Sequence, residues 1–265
     1  MTVRRAAVLG SPIAHSLSPA LHRAAYAALG LAWTYDAVEV RQEDLPGFFA
    51  TLDSTWAGLS ITSPLKEPII PLLSRVDERA RVVGAVNTVL PIDSGWRGTN
   101  TDIDGIVESV SRAQSHAPVT AAVLGAGATA RSVLAALVEL GVTEVTVYAR
   151  RAEAAAECRA LAERLGMIAR SADLEPRVES MDVDLFVSTL PGEGAAPWRE
   201  AAATARGTLL DVSYHPWPTP LASVWPTRFV ASGRDMLLWQ AVEQVRLMTG
   251  LEPPVAAMAA ALPAL

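Results

Sequence analysis

The sequence holds one cysteine, Cys158, and a lone thiol cannot close an internal disulfide. It lies in an Ala/Glu/Arg-rich stretch that reads as a helix flank, and a reducing, cytoplasmic location is expected. Basic charge is also short. Lys and Arg number 22 against 28 Asp and Glu, a formal net charge of −6, so the basic surplus that a nucleic-acid partner would need is missing. No apolar window approaches the ~20 residues of a membrane-spanning helix. Arg4 and Arg5 precede only Ala6 to Leu9 before Gly10, Ser11 and Pro12 interrupt the run, too early for a signal-peptide core. His15, His22, His116 and His215 are scattered, with no H-x-x-x-H and no Cys/His cluster, so no metal is expected. A G-x-S-x-G nucleophile elbow is absent as well.

What the chain does have is apolar residues, 51% of 265, with 19% charged, which excludes disorder and allows one large or two modest domains. Short β-type runs alternate with longer helical patterns, the mark of an α/β architecture with largely parallel sheet. Strands are predicted at 6–9, 34–40, 59–62, 85–90, 121–124, 144–148, 185–189, 208–211 and 228–230. Helices are predicted at 18–29, 43–52, 64–73, 103–112, from the residue after Ala130 to Leu140, 236–249 and 255–262. In the first helix Leu21, Ala25 and Leu29 share a face, Ser18 is the expected N-cap with Pro19 at N1, and Gly30 closes it. Asp93, Ser94 and Gly95 form a turn, and 114–118 is a polar, proline-ended hinge candidate.

The predicted strand 121–124 runs into Gly125-Ala126-Gly127-Ala128-Thr129-Ala130, and a helix follows. A tight strand-to-helix turn needs Gly125, a close backbone approach to a pyrophosphate needs Gly127, and small Ala130 lets helix and strand pack. The free N–H groups of the first helical turn then face the anion. G-x-G-x-x-A alone is a weak signal. Its place in a βαβ unit of the right length points to a dinucleotide. At the end of the second strand a reader of NAD would present an acid to the ribose. This chain has Tyr148-Ala149-Arg150-Arg151 instead, two guanidiniums suited to a 2′-phosphate, which favours NADP(H). The competing reading makes both arginines solvated residues at a helix start.

Three further features admit two readings each. Ser16 and Ser18 precede a helix: capping alone accounts for them, and so does a site for a small carboxylate. Lys66 and Asp102 each follow a predicted strand, where the C-terminal ends of an α/β sheet converge. A Lys and an Asp brought together there form a proton-transfer pair. Otherwise Asp102 caps the helix that begins at Ile103 and Lys66 is simply solvated.

Taken together, Gly10 to Pro19 (G-x-P-I-x-H-S-x-S-P), Thr62 to Lys66 (T-x-P-x-K), Gly84 to Thr88 (G-A-V-N-T), Asn100 to Asp102 (N-T-D) and the glycine loop resemble the shikimate/quinate dehydrogenase family over essentially the whole chain. The resemblance implies a discontinuous α/β substrate domain, 1–103 and 236–265, with an inserted Rossmann-type NADP-binding domain, 104–235, and an active site in the groove between them. It implies reversible, NADPH-dependent reduction of 3-dehydroshikimate to shikimate. By the same resemblance Lys66 and Asp102 would be the catalytic pair. Ser16 and Ser18 would bind the substrate carboxylate, and Thr62, Asn87 and Gln240 the ring hydroxyls, with Tyr214 on the substrate side. Gly125, Ala126, Gly127, Ala128, Thr129, Ala130, Arg150, Arg151, Thr189, Val212 and Gly233 would hold the cofactor.

Some positions depart from the family pattern: Ser60 for a common Asn, Ser63 for Val, Ile103 and Asp104 within N-T-D-G, Ala128 for a loop Gly, and Asp235 for a Gly before Met-Leu. Asp235 would add negative charge near the cofactor. Two rivals remain: a catabolic quinate/shikimate dehydrogenase using NAD, and a catalytically idle NADP-binding module. A monomer and a homodimer are both compatible with the family.

Overall fold

The structure is a computed structural model that describes residues 3–114 and 116–263. The chain divides into two compact units, Met1–Thr101 with Gln240–Leu265, and Asp102–Trp239.

In the first unit β1 (Arg5–Gly10), α1 (Ser18–Ala28), β2 (Thr34–Glu39), α2 (Leu45–Phe49), β3 (Trp56–Ile61), β4 (Arg75–Val76), α3 (Glu78–Val83), β5 (Thr88–Ile92) and β6 (Gly95–Thr99) form a six-stranded sheet. Its order is β2-β1-β3-β5-β6-β4. β1 is parallel to β2 and β3, whereas β5 is antiparallel to both β3 and β6, so the sheet is mixed. Leu9, Leu59, Ile61, Leu65, Ile69 and Val89 lie in its core.

The second unit contains α4 (Asp102–Ala113), β7 (Thr120–Leu124), α5 (Ala128–Glu139), β8 (Glu144–Ala149), α6 (Ala152–Arg164), β9 (Ile168–Asp173), β10 (Leu185–Ser188), α7 (Arg199–Ala202), β11 (Thr208–Asp211) and β12 (Val230–Ser232). Its sheet order is β12-β11-β10-β7-β8-β9, and every pairing is parallel. That is the doubly wound order, with the topological switch between β7 and β10, where ligands bind at the C-terminal strand ends. Phe186, Trp198, Leu209 and Leu221 centre its core. Two last helices follow, α8 (Gly233–Thr249) and α9 (Val255–Ala260).

Several expected elements are corrected. Residues 64–73 form turns and one 3-10 turn, Ile70–Leu72, in place of a helix. Pro64, Pro68 and Pro71 lack the N–H donors that a continuous helix would need there. The expected helix 43–52 shrinks to Leu45–Phe49 behind a 3-10 turn. The strand expected from Ala85 begins at Thr88, because Gly84 closes α3 at φ 62° and residues 85–87 are the connection. The strand expected at 228–230 is displaced to Val230–Ser232, since Thr227 holds Phe229 in a turn by accepting its N–H. Ser18 is the first helical residue and not the N-cap, which is Leu17. Cys158 lies inside α6 and is buried. The polar stretch 114–118 joins α4 to β7 within the second unit, and its Ser115 lies outside the described residues.

Candidate active site

Parallel pairing of β1 with β3 puts the loops that follow them side by side: Thr62 N–H donates to Leu9 O at 2.9 Å and Ser11 N–H to Ser63 O at 3.2 Å. Ser16, Ser18, Thr62 and Lys66 therefore arise from one end of one sheet. Ser18 is buried and Ser16, Thr62 and Lys66 are half-buried. Ser18 N–H donates to Ser16 Oγ at 3.3 Å, so the pair of serines is built into the helix entry.

Because β5 is antiparallel to β3, the residue that enters β5, Asn87, arrives at that same end. Its carbonyl accepts from Ile61 N–H at 2.7 Å, and Val86 N–H donates to Lys66 O at 2.8 Å. The Asn100 amide donates to Ala85 O at 2.9 Å, and Thr101 N–H donates to Asn87 Oδ1 at 2.7 Å, which ties N-T-D to G-A-V-N-T. The Asn87 amide nitrogen faces Thr101 Oγ1 at 3.0 Å and Gln240 Oε1 at 3.4 Å. Asp102 follows directly as the first residue of α4 and is 4% exposed. Ser60, marked in the sequence only as a departure from the family pattern, bonds to Gln244 at 2.7 Å beneath this cluster. Gln244 was missed there, and its one trace is that it stands four places after Gln240 on α8, one helical turn away.

In the second unit Gly125 has φ 105°, and a Cβ there would collide with Thr189 Oγ1. Thr189 itself straddles the switch point, donating both its N–H and its hydroxyl to Leu124 O at 2.9 and 2.8 Å. Gly127 is the N-cap of α5 with no side-chain cap, no acid stands in the first turn, and a Cβ at Gly127 would meet nothing within 4 Å. The first turn of α5 thus begins without a side-chain cap on its N–H groups and with room at Gly127, which fits a pyrophosphate. Arg150 and Arg151 are exposed where β8 ends, one strand away from the loop, which fits a phosphate on the ribose. Val212 and Gly233 approach backbone to backbone, since a Cβ on Gly233 would strike Val212 O.

Tyr214 is half-buried in the loop after β11, within the second unit. Burial raises its phenol above the ordinary value. The loop is anchored at Asp211, which accepts from Thr219 Oγ1 at 2.7 Å and from Ser213 N–H at 3.2 Å. Burial pushes the Asp211 carboxyl upward, against these bonds. Asp235, expected as a charge near the cofactor, is engaged with its own helix start. Its carboxylate accepts from Ser232 N–H at 2.8 Å and Ser232 Oγ at 2.7 Å, while Asp235 N–H returns to Ser232 Oγ, a capping box that starts α8. Among the described residues no group of three His, Cys, Asp or Glu gathers as a metal site, and no helix is long and apolar enough to cross a membrane.

Comparison with known proteins decides the family. Residues 8–89 match the shikimate dehydrogenase substrate binding domain, and residues 233–262 the shikimate 5'-dehydrogenase C-terminal domain. Shikimate dehydrogenase (NADP(+)) of Thermus thermophilus is 37% identical over 257 residues, covering 96% of this chain and 95% of the relative. The chain belongs to the shikimate dehydrogenase family. The crystal structure of Mycobacterium tuberculosis shikimate dehydrogenase superposes with a TM-score of 0.91 at 40% identity, over 99% of this chain and 100% of that one. That of a Thermus thermophilus shikimate 5-dehydrogenase in complex with NADP(H) and shikimate gives 0.82 at 35%, over 97% and 98%. The two-unit α/β architecture seen here, with its discontinuous first unit, is that of shikimate dehydrogenases.

Proposed function

We propose that this protein is an NADP-dependent shikimate dehydrogenase that interconverts 3-dehydroshikimate and shikimate. The observation that carries the reading is the convergence of Ser16, Ser18, Thr62, Lys66 and Asn87 at one end of the first unit's sheet. Its companion is the uncapped α5 N-terminus at the switch point of the second. Similarity over nearly the full length to proteins named for this activity supports it.

The bound cofactor supplies a hydride to the ketone carbon, or takes one from the alcohol. The remaining chemistry belongs to the chain. Ser16 and Ser18 hydrogen-bond the substrate carboxylate. Thr62, Asn87 and Gln240 hold the ring hydroxyls and so fix which carbon reacts. Lys66, as the ammonium, stabilises the oxygen that becomes an alkoxide and gives it a proton, and Asp102 orients that amine and the hydroxyl. In the oxidation direction Lys66, as the amine, accepts the proton. The N–H groups of residues 126–130 hold the pyrophosphate and Arg150 with Arg151 the 2′-phosphate, with Thr189, Val212 and Gly233 at the remaining contacts. Residues 1–103 with 236–265 act as the substrate domain, 104–235 as the cofactor domain, and the enzyme works in the cytoplasm.

Assays with shikimate or quinate, each with NADP+ or NAD+, test this reading. Oxidation of shikimate with NADP+ is expected to be the most efficient. Efficient quinate oxidation with NAD+ would transfer the protein to the catabolic branch, and cofactor binding with no turnover of either acid would make it a non-enzymatic module.

A further inference from the structure

Beneath the residues assigned to the substrate lies a buried chain of polar groups that the reaction does not use directly. The Tyr35 hydroxyl donates to Ser60 Oγ at 2.6 Å, and Ser60 donates to Gln244 Oε1 at 2.7 Å. The Gln244 amide nitrogen donates to Thr88 Oγ1 at 2.9 Å and to Asn87 O at 3.2 Å, and Thr88 Oγ1 donates to Asn87 Oδ1 at 2.8 Å. Tyr35, Ser60, Thr88, Asn87 and Gln244 are all at most 4% exposed.

The donors run in one direction, and Gln244 sets it. Its Oε1 also receives His22 Nε2 at 3.1 Å, so both amide hydrogens and both oxygen lone pairs are used. Turning that amide over would aim its N–H groups at two donors and its oxygen at the Asn87 carbonyl. The group therefore has one stable orientation, and polar groups buried this deeply are costly to leave unpaired. His22 stacks on Tyr35 with ring centroids 4.0 Å apart and has its other ring nitrogen 3.4 Å from the Tyr26 hydroxyl; the Gln244 oxygen, which can only accept, puts the proton on Nε2.

We propose that Gln244 is a positioning residue for the substrate, acting with Ser60 and Tyr35. It fixes the Asn87 amide assigned to the ring hydroxyls, holding the Asn87 carbonyl directly and its Oδ1 through Thr88. The proposal rests on the shikimate reading above. It also accounts for serine at position 60, where the short side chain offers one oxygen on which a tyrosine hydroxyl and a glutamine carbonyl can meet.

The test is a double-mutant cycle in the full-length protein, with Tyr35→Phe, which keeps the stacked ring and deletes only the hydroxyl, and Gln244→Met, close in volume and unable to hydrogen-bond. Steady-state oxidation of shikimate with NADP+ and calorimetric titration of shikimate are the readouts. Each single variant is expected to raise the KM and Kd for shikimate roughly three- to tenfold, the worth of a neutral buried hydrogen bond. The kcat and the KM for NADP+ are expected to stay at wild-type values. The double variant is expected to show less than the product of the single effects, since either change breaks the same chain. Should Gln244→Met fail to fold, Ser60→Ala takes its place in the cycle. Folded variants with wild-type shikimate affinity, a loss shared equally with NADP+, or strictly multiplicative effects would overturn the proposal while leaving the activity intact. A wild-type protein that neither binds nor oxidises shikimate would instead sink the functional reading itself.

Discussion

Lys66 and His22 are both polar residues among apolar neighbours, and their environments separate their roles. Lys66 is half-buried in a turn held to Val86 through its own carbonyl, so its backbone is fixed where the proposed reaction needs its amine. General acid-base assistance is worth about 10²–10⁴-fold in rate. Lys66→Ala is accordingly expected to lower kcat by that order while the KM values for shikimate and NADP+ move far less, a comparison that steady-state kinetics makes directly. His22 is fully buried, and burial lowers its pKa from 6.5 to about 3 against the bond from Gln244. The folded state thus keeps the ring neutral where the unfolded chain protonates it. Between those two values the unfolded state binds more protons, so stability is retained above pH 6.5 and lost as pH falls toward 3. From pH 7 to pH 5 this one group is expected to cost about 2 kcal/mol. Urea denaturation at the two pH values should show that loss in the wild type and a smaller one in His22→Gln.

Two helix starts have opposite designs, and the difference separates support from binding. α8 opens with the Ser232–Asp235 capping box, both orphan donors satisfied within the chain. α5 opens at Gly127 with no side-chain cap, its donors left for an anion. Asp235→Ala is expected to destabilise the protein by about 1 kcal/mol and Asp235→Asn by less, because the amide oxygen still accepts; thermal or urea melts of the two variants measure this. The glycine loop and the helices flanking it were legible from the sequence because turn chemistry and 3.6-residue periodicity are local. β9 was not legible: it is an edge strand with four exposed residues and only Ala169 and Ala172 half-buried, and Ile-Ala-Arg-Ser-Ala-Asp carries no apolar pattern to mark it. The hairpin of β5 and β6 was half legible. Asp93, Ser94 and Gly95 announced the turn, but Gly-Trp-Arg-Gly-Thr does not announce a strand, and its pairing comes from β5.

Binding of a cofactor to the native protein alone must raise the stability of the whole molecule. NADP+ at a hundred times its dissociation constant is expected to add about 2.7 kcal/mol. A thermal melt should show a clear upward shift, reduced by Arg150→Ala with Arg151→Ala, whereas the smaller shift with NAD+ should be unaffected by that pair. By itself the sequence determined the α/β class, the glycine turn, the pair of arginines that ends β8 and the order of the motifs, because each depends on residues close together in the chain. Only the tertiary structure decided that Ser60, Asn87 and Gln244 belong to one polar cluster, with Tyr35 and His22 beneath it. Those partners are separated by up to 222 residues. Which buried donor meets which buried acceptor is set by strand register and by the descent of α8 onto the first sheet, and neither leaves a local signal in the chain.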